Sequence, residues 1–247
     1  MKQRTLLFLL LAGAVFFACK KVSVKTADVL TGLTPTPASV PADGSTRVTV
    51  TVAMNGSADP AKRNVRFIAS PGSWLGGKDS SISVAATFIN GNLVAIAYLN
   101  PSTSTGTVKI TAQPDQSQVI NNNFILASEV TRTTSAPATI SLSPSALGIN
   151  SNALSEVTIS GIIKNTTGKY ASNGVQVSFE DVLADGSPAK GAFRKVVSTV
   201  ADTTGVSAIY SAVGYAIGTP IFIRATVLDA AGVKTQIAGT IKLTINK

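Results

Sequence analysis

The sequence predicts an all-β protein, built from two tandem antiparallel β-sandwiches that follow an N-terminal signal peptide. Short runs of alternating apolar and polar residues, rich in Val, Ile and Thr, are separated by Gly, Pro and Asn. The second half of the chain repeats the order of these runs found in the first half. The only long apolar run lies at the N-terminus. Together these observations favour a strand-rich body behind a cleaved leader.

Length and charge limit the classes of protein that fit. The chain has 247 residues, of which 45% are hydrophobic and 13% charged, which suits two domains of roughly 100–120 residues each. The formal net charge is +9, but the basic residues are scattered along the chain. Binding to nucleic acid needs a clustered basic surface, so we expect no nucleic-acid partner.

The N-terminus has the layout of a secretory signal peptide. Lys2 and Arg4 form a positive region, residues 6–17 form an apolar segment, and the small residue Ala18 precedes Cys19. This predicts a signal peptide over residues 1–18. A disulfide needs a second cysteine and the chain has only one, so Cys19 has no partner within the chain.

The cysteine directly after Ala18 resembles a bacterial lipobox, although Phe16 and Phe17 stand where that family prefers leucine and a small residue. The resemblance implies cleavage before Cys19, lipidation of its thiol and acylation of its amine. The membrane would then be a partner, because several acyl chains anchor a protein firmly. The alternative is an ordinary signal peptide with an incidental cysteine. Because the next two residues, Lys20 and Lys21, fit neither an inner-membrane retention signal nor an acidic export tag, we expect the bacterial outer membrane. They favour its periplasmic face over the cell surface.

The first sandwich is predicted over residues 33–130, after a tether at 19–32. Its strongest hairpin signal is Asn90-Gly91, which lies between two alternating runs. The expected strands are residues 47–52, 65–69, 82–88, 93–99, 107–112 and 123–126.

The second sandwich is predicted over residues 138–247, after a charge-poor linker at 131–137 that ends in proline. The spacing repeats that of the first half, since Val48 and Val65 are 17 positions apart and Val157 and Val175 are 18 apart. The expected strands are residues 156–160, 175–179, 196–200, 206–210, 221–227 and 237–245.

Several of these segments resemble bacterial immunoglobulin-like repeats of the invasin/intimin type, also called Big-1-like. The matching segments are residues 42–52 (ADGSTRVTVTV), 65–70 (VRFIAS), 90–98 (NGNLVAIAY), 106–112 (GTVKITA) and 202–210 (DTTGVSAIY). The resemblance implies two immunoglobulin-like β-sandwiches. It also implies a non-enzymatic role in adhesion, interaction or spacing.

Catalytic and metal-binding residue types are scarce. The chain has no histidine and one cysteine, which excludes Ser-His-Asp chemistry and histidine-bound metals. Paired carboxylates remain only at Glu180, Asp181 and Asp185, and we interpret these as a solvated loop with a turn at Asp185. No catalytic residue, metal or cofactor is therefore expected.

Two aromatic residues are the candidates for ligand binding, Trp74 in a glycine-rich loop and Tyr170 in a polar loop. Trp74 either forms an exposed platform or packs over the core, and the second arrangement is favoured. Two functions follow for an envelope lipoprotein of this kind, whose protein or glycan partner the sequence does not identify. The first is adhesion, interaction or spacing. The alternative is a carbohydrate-binding accessory of an outer-membrane glycan-uptake system, in which Trp74 and Tyr170 make the contact.

Overall fold

The computed structural model describes residues 29–58, 60, 63–77, 79–115, 125–152, 154–197 and 205–247. These residues form strands and no α-helix. The predicted signal peptide, Cys19 and residues 20–28 of the tether lie outside them. The expectation of an all-β protein is confirmed.

The first domain contains two packed sheets. One has the strand order β1-β3-β7-β6 and the other the order β2-β9-β8-β4-β5. Among the described residues the strands are β1 (Leu30–Thr36), β2 (Ser39–Pro41), β3 (Val48–Met54), β4 (Asn64–Ser70), β5 (Ser81–Ala85), β6 (Thr87–Ile89), β7 (Asn92–Leu99), β8 (Gly106–Pro114) and β9 (Leu126–Thr133).

The second domain repeats this plan, with sheets of order β10-β12-β15-β14 and β11-β17-β16-β13. Its described strands are β10 (Thr139–Pro144), β11 (Gly148–Asn150), β12 (Val157–Lys164), β13 (Val177–Val182), β14 (Ala192–Val197), β15 (Gly205–Ser211), β16 (Pro220–Leu228) and β17 (Lys234–Asn246). In both domains the second strand pairs in parallel with the last, β2 with β9 and β11 with β17, while the other pairings are antiparallel. This is the two-sheet arrangement of an immunoglobulin-type sandwich.

Alternation of side chains builds the core of each sandwich. In β3, Val48, Val50 and Val52 are buried and the threonines between them are half-buried, as expected for a strand with one face against a core. The first domain has a single buried cluster. The second has two, one around Ile159 and the other around Ile163.

The Asn90-Gly91 hairpin is confirmed. Both residues have positive φ angles, 51° and 80°, as a tight two-residue turn requires, and Ile89 pairs with Asn92 across it. The single strand expected at residues 82–88 is wrong, because the chain changes sheets at Ala86. β5 pairs with β4 in one sheet and β6 pairs with β7 in the other.

The domain boundaries differ from the predicted ones by a few residues. Leu30 is buried and pairs with Met54, so the first domain includes the end of the predicted tether. Thr131 to Thr133 belong to β9 and pair with β2, which shortens the linker to residues 134–138. Of the predicted strand residues, 123–124 and 198–200 lie outside the described part, as do residues 202–204 of the last matching segment.

Candidate functional site

The two domains meet at a polar junction. We define the junction as loops 42–46 and 102–104 of the first domain, the linker at 134–138, and loop 165–173 of the second domain. The first two loops join β2 to β3 and β7 to β8, at the end of the sandwich where β9 leaves it. Loop 165–173 joins β12 to β13, so each of the three loops is held by strands on both sides.

Asp43 is the electrostatic centre of the junction. Its side chain is 2% exposed and accepts hydrogen bonds from the backbone N–H groups of Ser45 at 2.9 Å and Thr46 at 2.7 Å, and from the Thr46 hydroxyl at 2.7 Å. From the second domain, Lys169 Nζ lies 3.2 Å from Asp43 Oδ2 and 3.0 Å from Thr46 Oγ1. Burial alone would raise the pKa of Asp43, but the hydrogen bonds from Thr46, Ser45 and Lys169 outweigh it and hold the pKa below its ordinary value.

Backbone groups add further bonds between the domains. The N–H of Tyr170 donates to Asp43 O at 3.2 Å, and the N–H of Asn173 donates to Thr103 O at 2.9 Å. The Asn173 side chain donates to Ser104 Oγ at 2.9 Å. Buried main-chain groups need such partners, so these contacts tie the loops of both domains into one layer.

Ser172 and Ser135 fasten the linker to both domains. Ser172 Oγ accepts the Ser135 N–H at 2.7 Å and donates to Ala42 O at 3.2 Å. The Ser172 N–H donates back to Ser135 O at 2.9 Å, and Ser135 Oγ donates to Tyr170 O at 2.9 Å. The linker is therefore hydrogen-bonded on both sides, which restricts rotation of one domain against the other.

Tyr170 is part of this junction. It is 42% exposed, and one edge of its ring lies over Gly44, where an added Cβ would be 3.0 Å from Tyr170 Cδ2. Gly44 has a φ of 65°, a conformation that glycine adopts without strain. The structure thus places Tyr170 between the domains. Whether it binds a ligand stays a prediction.

Trp74 is not an exposed platform, and that candidate role is wrong. The side chain has no exposed surface, its ring centroid lies 5.6 Å from that of Phe67, and Nε1–H donates to Ser80 O at 2.9 Å. The loop after β4 folds back along β7, where Leu75 N–H donates to Tyr98 O at 2.8 Å, and this carries the indole into the core. The alternative interpretation, packing over the core, describes the observed position. Trp74 is therefore not available as a contact in the glycan-binding hypothesis.

The three carboxylates considered from the sequence do not converge. Asp181 lies on β13 and not in a loop, and its Oδ2 accepts the buried Tyr210 hydroxyl and the Gly191 N–H, both at 2.8 Å. Burial, together with this hydrogen bond, raises the pKa of Tyr210, so the phenol stays a donor. Glu180, next to Asp181 on β13, contacts Lys234 at 2.7 Å. Adjacent strand residues point to opposite faces, which separates the two carboxylates.

The third carboxylate makes a local turn, as predicted. Asp185 Oδ1 accepts the Ser187 N–H at 2.9 Å and its hydroxyl at 2.6 Å. These bonds lower the pKa of Asp185. Each of the three acidic groups therefore has a structural partner of its own.

Beside the linker runs a groove of about 500 Å³. Its apolar lining includes Pro137, Val175, Val227 and Ile237. One ionisable residue, Asp229, borders it, and the carboxylate of Asp229 already accepts two N–H groups of its own turn. The groove thus offers an apolar wall without a charged group directed to a ligand.

Among the described residues, no group of three or more metal-binding side chains comes together. Within the same residues, no helix has the length and apolarity that crossing a bilayer requires.

Acid should weaken the junction through Asp43. Its pKa is lower in the folded protein than its ordinary value of 3.8, so the ionised carboxylate stabilises the fold above that pH. This contribution is lost as the pH falls through the folded pKa. Urea unfolding at pH 7 and pH 3 should show a larger loss of stability for the unmodified protein than for Asp43→Asn. Equal losses in the two proteins would contradict this assignment.

Comparison with known proteins supports the fold. No family model matches the sequence, and no curated protein matches it. Among solved structures, invasin, described as a bacterial integrin-binding protein, is 19% identical over 87% of this chain and 39% of its own, with a TM-score of 0.54. The D0-D1 domains of intimin are 16% identical over 88% of this chain and 99% of theirs, with a TM-score of 0.32. A glycosyl hydrolase family 2 member from Bacteroides cellulosilyticus is 13% identical over 84% of this chain and 24% of its own, with a TM-score of 0.35.

The likeness to invasin is one of fold. The chain spans about two fifths of the length of invasin, and the shared part has two sheets per domain, as described above. Taken with the repeated strand order of the two sandwiches, it shows that this chain has the invasin/intimin-type bacterial immunoglobulin-like fold.

Proposed function

We propose that the protein is a non-enzymatic lipoprotein of the bacterial cell envelope, in which two immunoglobulin-like domains form one stiff arm. Acyl chains on Cys19 hold the arm to the outer membrane, at its periplasmic face. The arm serves as an adhesion, interaction or spacer module. Its protein or glycan partner meets it away from the anchored end.

The junction is the observation that supports this role. A spacer or adhesive arm has to keep its ends apart, and interfaces between domains usually permit relative motion unless they are large and hydrophobic, so a polar junction has to restrict motion through directed bonds. Here a linker of five residues is bonded on both sides by Ser135 and Ser172. A charged contact, Lys169 with Asp43, crosses the same layer. Such a junction is expected of an arm that keeps its two ends at a fixed distance.

Two further facts favour interaction over catalysis. The carboxylates that might have acted as an acid–base pair are each used in structural contacts. The fold is that of invasin, a protein described as binding integrin, and we extend to this chain only the general mode, recognition by surface contact.

The proposal is tested by following the chain from its anchor to its partner. Expressed in the native bacterium, the protein should carry acyl groups on Cys19, seen by mass spectrometry of its N-terminal peptide, and should fractionate with the outer membrane. Cys19→Ala should move it out of that fraction. Protease added to intact cells should leave the arm uncut, and lysine-reactive cross-linking in those cells should join the arm to a periplasmic partner for the unmodified protein and not for Cys19→Ala. An unmodified Cys19, cleavage of the arm in intact cells, or equal cross-linking of the two proteins would contradict the proposal.

A further inference from the structure

The end of the second domain far from the junction carries an unusual apolar surface. We call it the tip and define it as residues 145–152 and 154–155, which connect β10 to β12 on either side of β11, and loop 212–219, between β15 and β16. Leu154 is 94% exposed, Leu147 70% and Ile217 66%. These are the three most exposed large apolar side chains of the described residues. Exposed apolar residues are ordinary when scattered, but their concentration at one end indicates contact with something apolar.

The two tip loops are held together, so these side chains belong to one surface. Tyr215 N–H donates to Ser151 Oγ at 2.9 Å, which joins the loops. Thr244 N–H donates to Leu147 O at 2.9 Å, and Gly218 N–H donates to Ile245 O at 2.8 Å. The loops therefore flank the end of β17 on its two sides, about 10 Å apart across two strand spacings.

The internal repeat indicates that this end of a sandwich is a contact surface. The part of the tip between β11 and β12, which carries Leu154, and loop 212–219 correspond to loops 42–46 and 102–104 of the first domain, because β11-β12 and β15-β16 occupy the positions of β2-β3 and β7-β8. Leu147 lies just before β11, on the connection from β10. In the first domain that end is covered by the second domain through polar groups such as Asp43. In the second domain the same end exposes leucine and isoleucine, so its partner is expected to be apolar, unlike the polar surface that covers the first domain.

Two properties of the tip favour a lipid bilayer over a protein surface. The first is that the backbone around the exposed side chains is already hydrogen-bonded within the protein, which is what entry into hydrocarbon demands. Asn152 Oδ1 accepts the N–H groups of Leu154 at 3.0 Å and Ser155 at 2.8 Å, and the loop bonds at Ser151 and Leu147 add to these.

The second property is charge. Neither tip loop contains a charged residue. The exposed lysines of this half of the domain include Lys190, whose backbone N–H contacts the Tyr215 hydroxyl, Lys195 on β14, and Lys247 directly after β17. The acidic residues of this end are Asp181 and Asp185, both hydrogen-bonded within the protein, and Glu156, paired with Arg194. An apolar centre with a basic surround is complementary to an anionic membrane surface.

We propose that the tip docks on an anionic lipid bilayer, inserting Leu147, Leu154 and Ile217 among the acyl chains while lysines contact the headgroups. This goes beyond the proposed function and rests on it for the anchored arm, because it adds a lipid contact at the free end to the protein or glycan partner of the arm. An arm anchored at Cys19 and docked at its tip would connect two membrane surfaces.

The test places a probe at the tip of the full chain. Cys19→Ser prevents acylation and removes the native thiol, and Leu154→Cys then carries an environment-sensitive NBD dye. Vesicles of phosphatidylethanolamine and phosphatidylglycerol (3:1) should shift its emission to the blue and raise its intensity. Phosphatidylcholine vesicles should do so far less. The same dye at Ser141→Cys, an exposed site on the side of the second domain, should not respond. This control separates tip insertion from any binding by the apolar leader.

Second substitutions in the labelled protein test the contribution of a different tip residue. With the probe at 154, Ile217→Asp should lower the partition coefficient for the anionic vesicles about tenfold or more. Val233→Asp should leave it unchanged, because Val233 is 59% exposed but lies in the loop between β16 and β17, at the opposite end of the domain.

Three results would overturn the tip proposal. They are a silent probe at 154 with anionic vesicles, equal effects of Ile217→Asp and Val233→Asp, or a response to soluble envelope proteins or to a second copy in place of lipid. None of these results affects the anchor at Cys19 or the protease and cross-linking assays. A failure of the tip is therefore distinguishable from a failure of the proposed function.

Discussion

Replacing Trp74 with alanine should lower the free energy of unfolding of the first domain by about 3–5 kcal/mol, the usual cost of removing a large buried aromatic side chain. The indole is fully buried against Phe67, so alanine leaves a cavity. It also removes the hydrogen bond from Nε1–H to Ser80 O, although that carbonyl keeps the Ala69 N–H at 2.8 Å, so the cavity accounts for most of the loss. Urea unfolding followed by circular dichroism measures the effect.

A matched pair of variants separates packing from recognition. Trp74→Phe keeps most of the ring volume and should lose clearly less stability than Trp74→Ala. Tyr98→Ala removes an aromatic side chain of the same domain that is 45% exposed, and it should change stability little. If Trp74→Ala unfolded at the same urea concentration as the unmodified protein, the indole would not be part of the core.

Local sequence patterns were enough to predict much of the fold. Alternation in β3 identified Val48, Val50 and Val52 as core residues, and Asn90-Gly91 identified a hairpin, because both signals depend on neighbours in sequence. The change of sheet at Ala86 had only a weak signal, since the alternation of residues 82–88 is interrupted only where Ala85 and Ala86 follow each other. Packing of Trp74 over the core was the favoured arrangement, but the sequence did not indicate its place beside β7, because that depends on how a loop without periodicity folds.

The junction and the tip differ in how far sequence could reveal them. Asp43 and Lys169 come together from separate domains, and nothing in their local sequence indicates which lysine meets which aspartate. The Asp-Gly-Ser-Thr run at 43–46 does favour a side-chain-capped turn, which was a usable signal for the Asp43 loop. The tip left a clearer trace, since Leu147, Leu154 and Ile217 lie among Gly, Asn and Ser in segments without charge. Apolar residues in predicted loops would have pointed to it.

Asp43→Ala should uncouple the two domains. The carboxylate accepts from Ser45, Thr46 and Lys169, and hydrogen bonds to a charged group each contribute about 1.5–3 kcal/mol. Because Lys169 is partly exposed, its ion pair is the weaker part of this sum, and we expect a loss of about 2–3 kcal/mol in junction stability. Calorimetry should then show two separate transitions where the unmodified protein shows one.

Scattering and proteolysis report the geometry that this uncoupling changes. The unmodified protein should behave in small-angle X-ray scattering as one elongated body, whereas Asp43→Ala should show a broader distribution of domain separations and faster cleavage within linker residues 134–138. Gly44→Ala provides a second route to the same state, because an added Cβ would lie 3.0 Å from Tyr170 Cδ2 and 3.1 Å from Thr103 Cγ2, at a φ of 65°. Asp185→Ala is the matched control, since that aspartate caps a similar turn at the far end of the second domain. If the junction makes the arm stiff, both junction variants should broaden the distribution of domain separations and the control should not. A scattering profile unchanged by Asp43→Ala and Gly44→Ala would mean that the linker alone sets the angle between the domains.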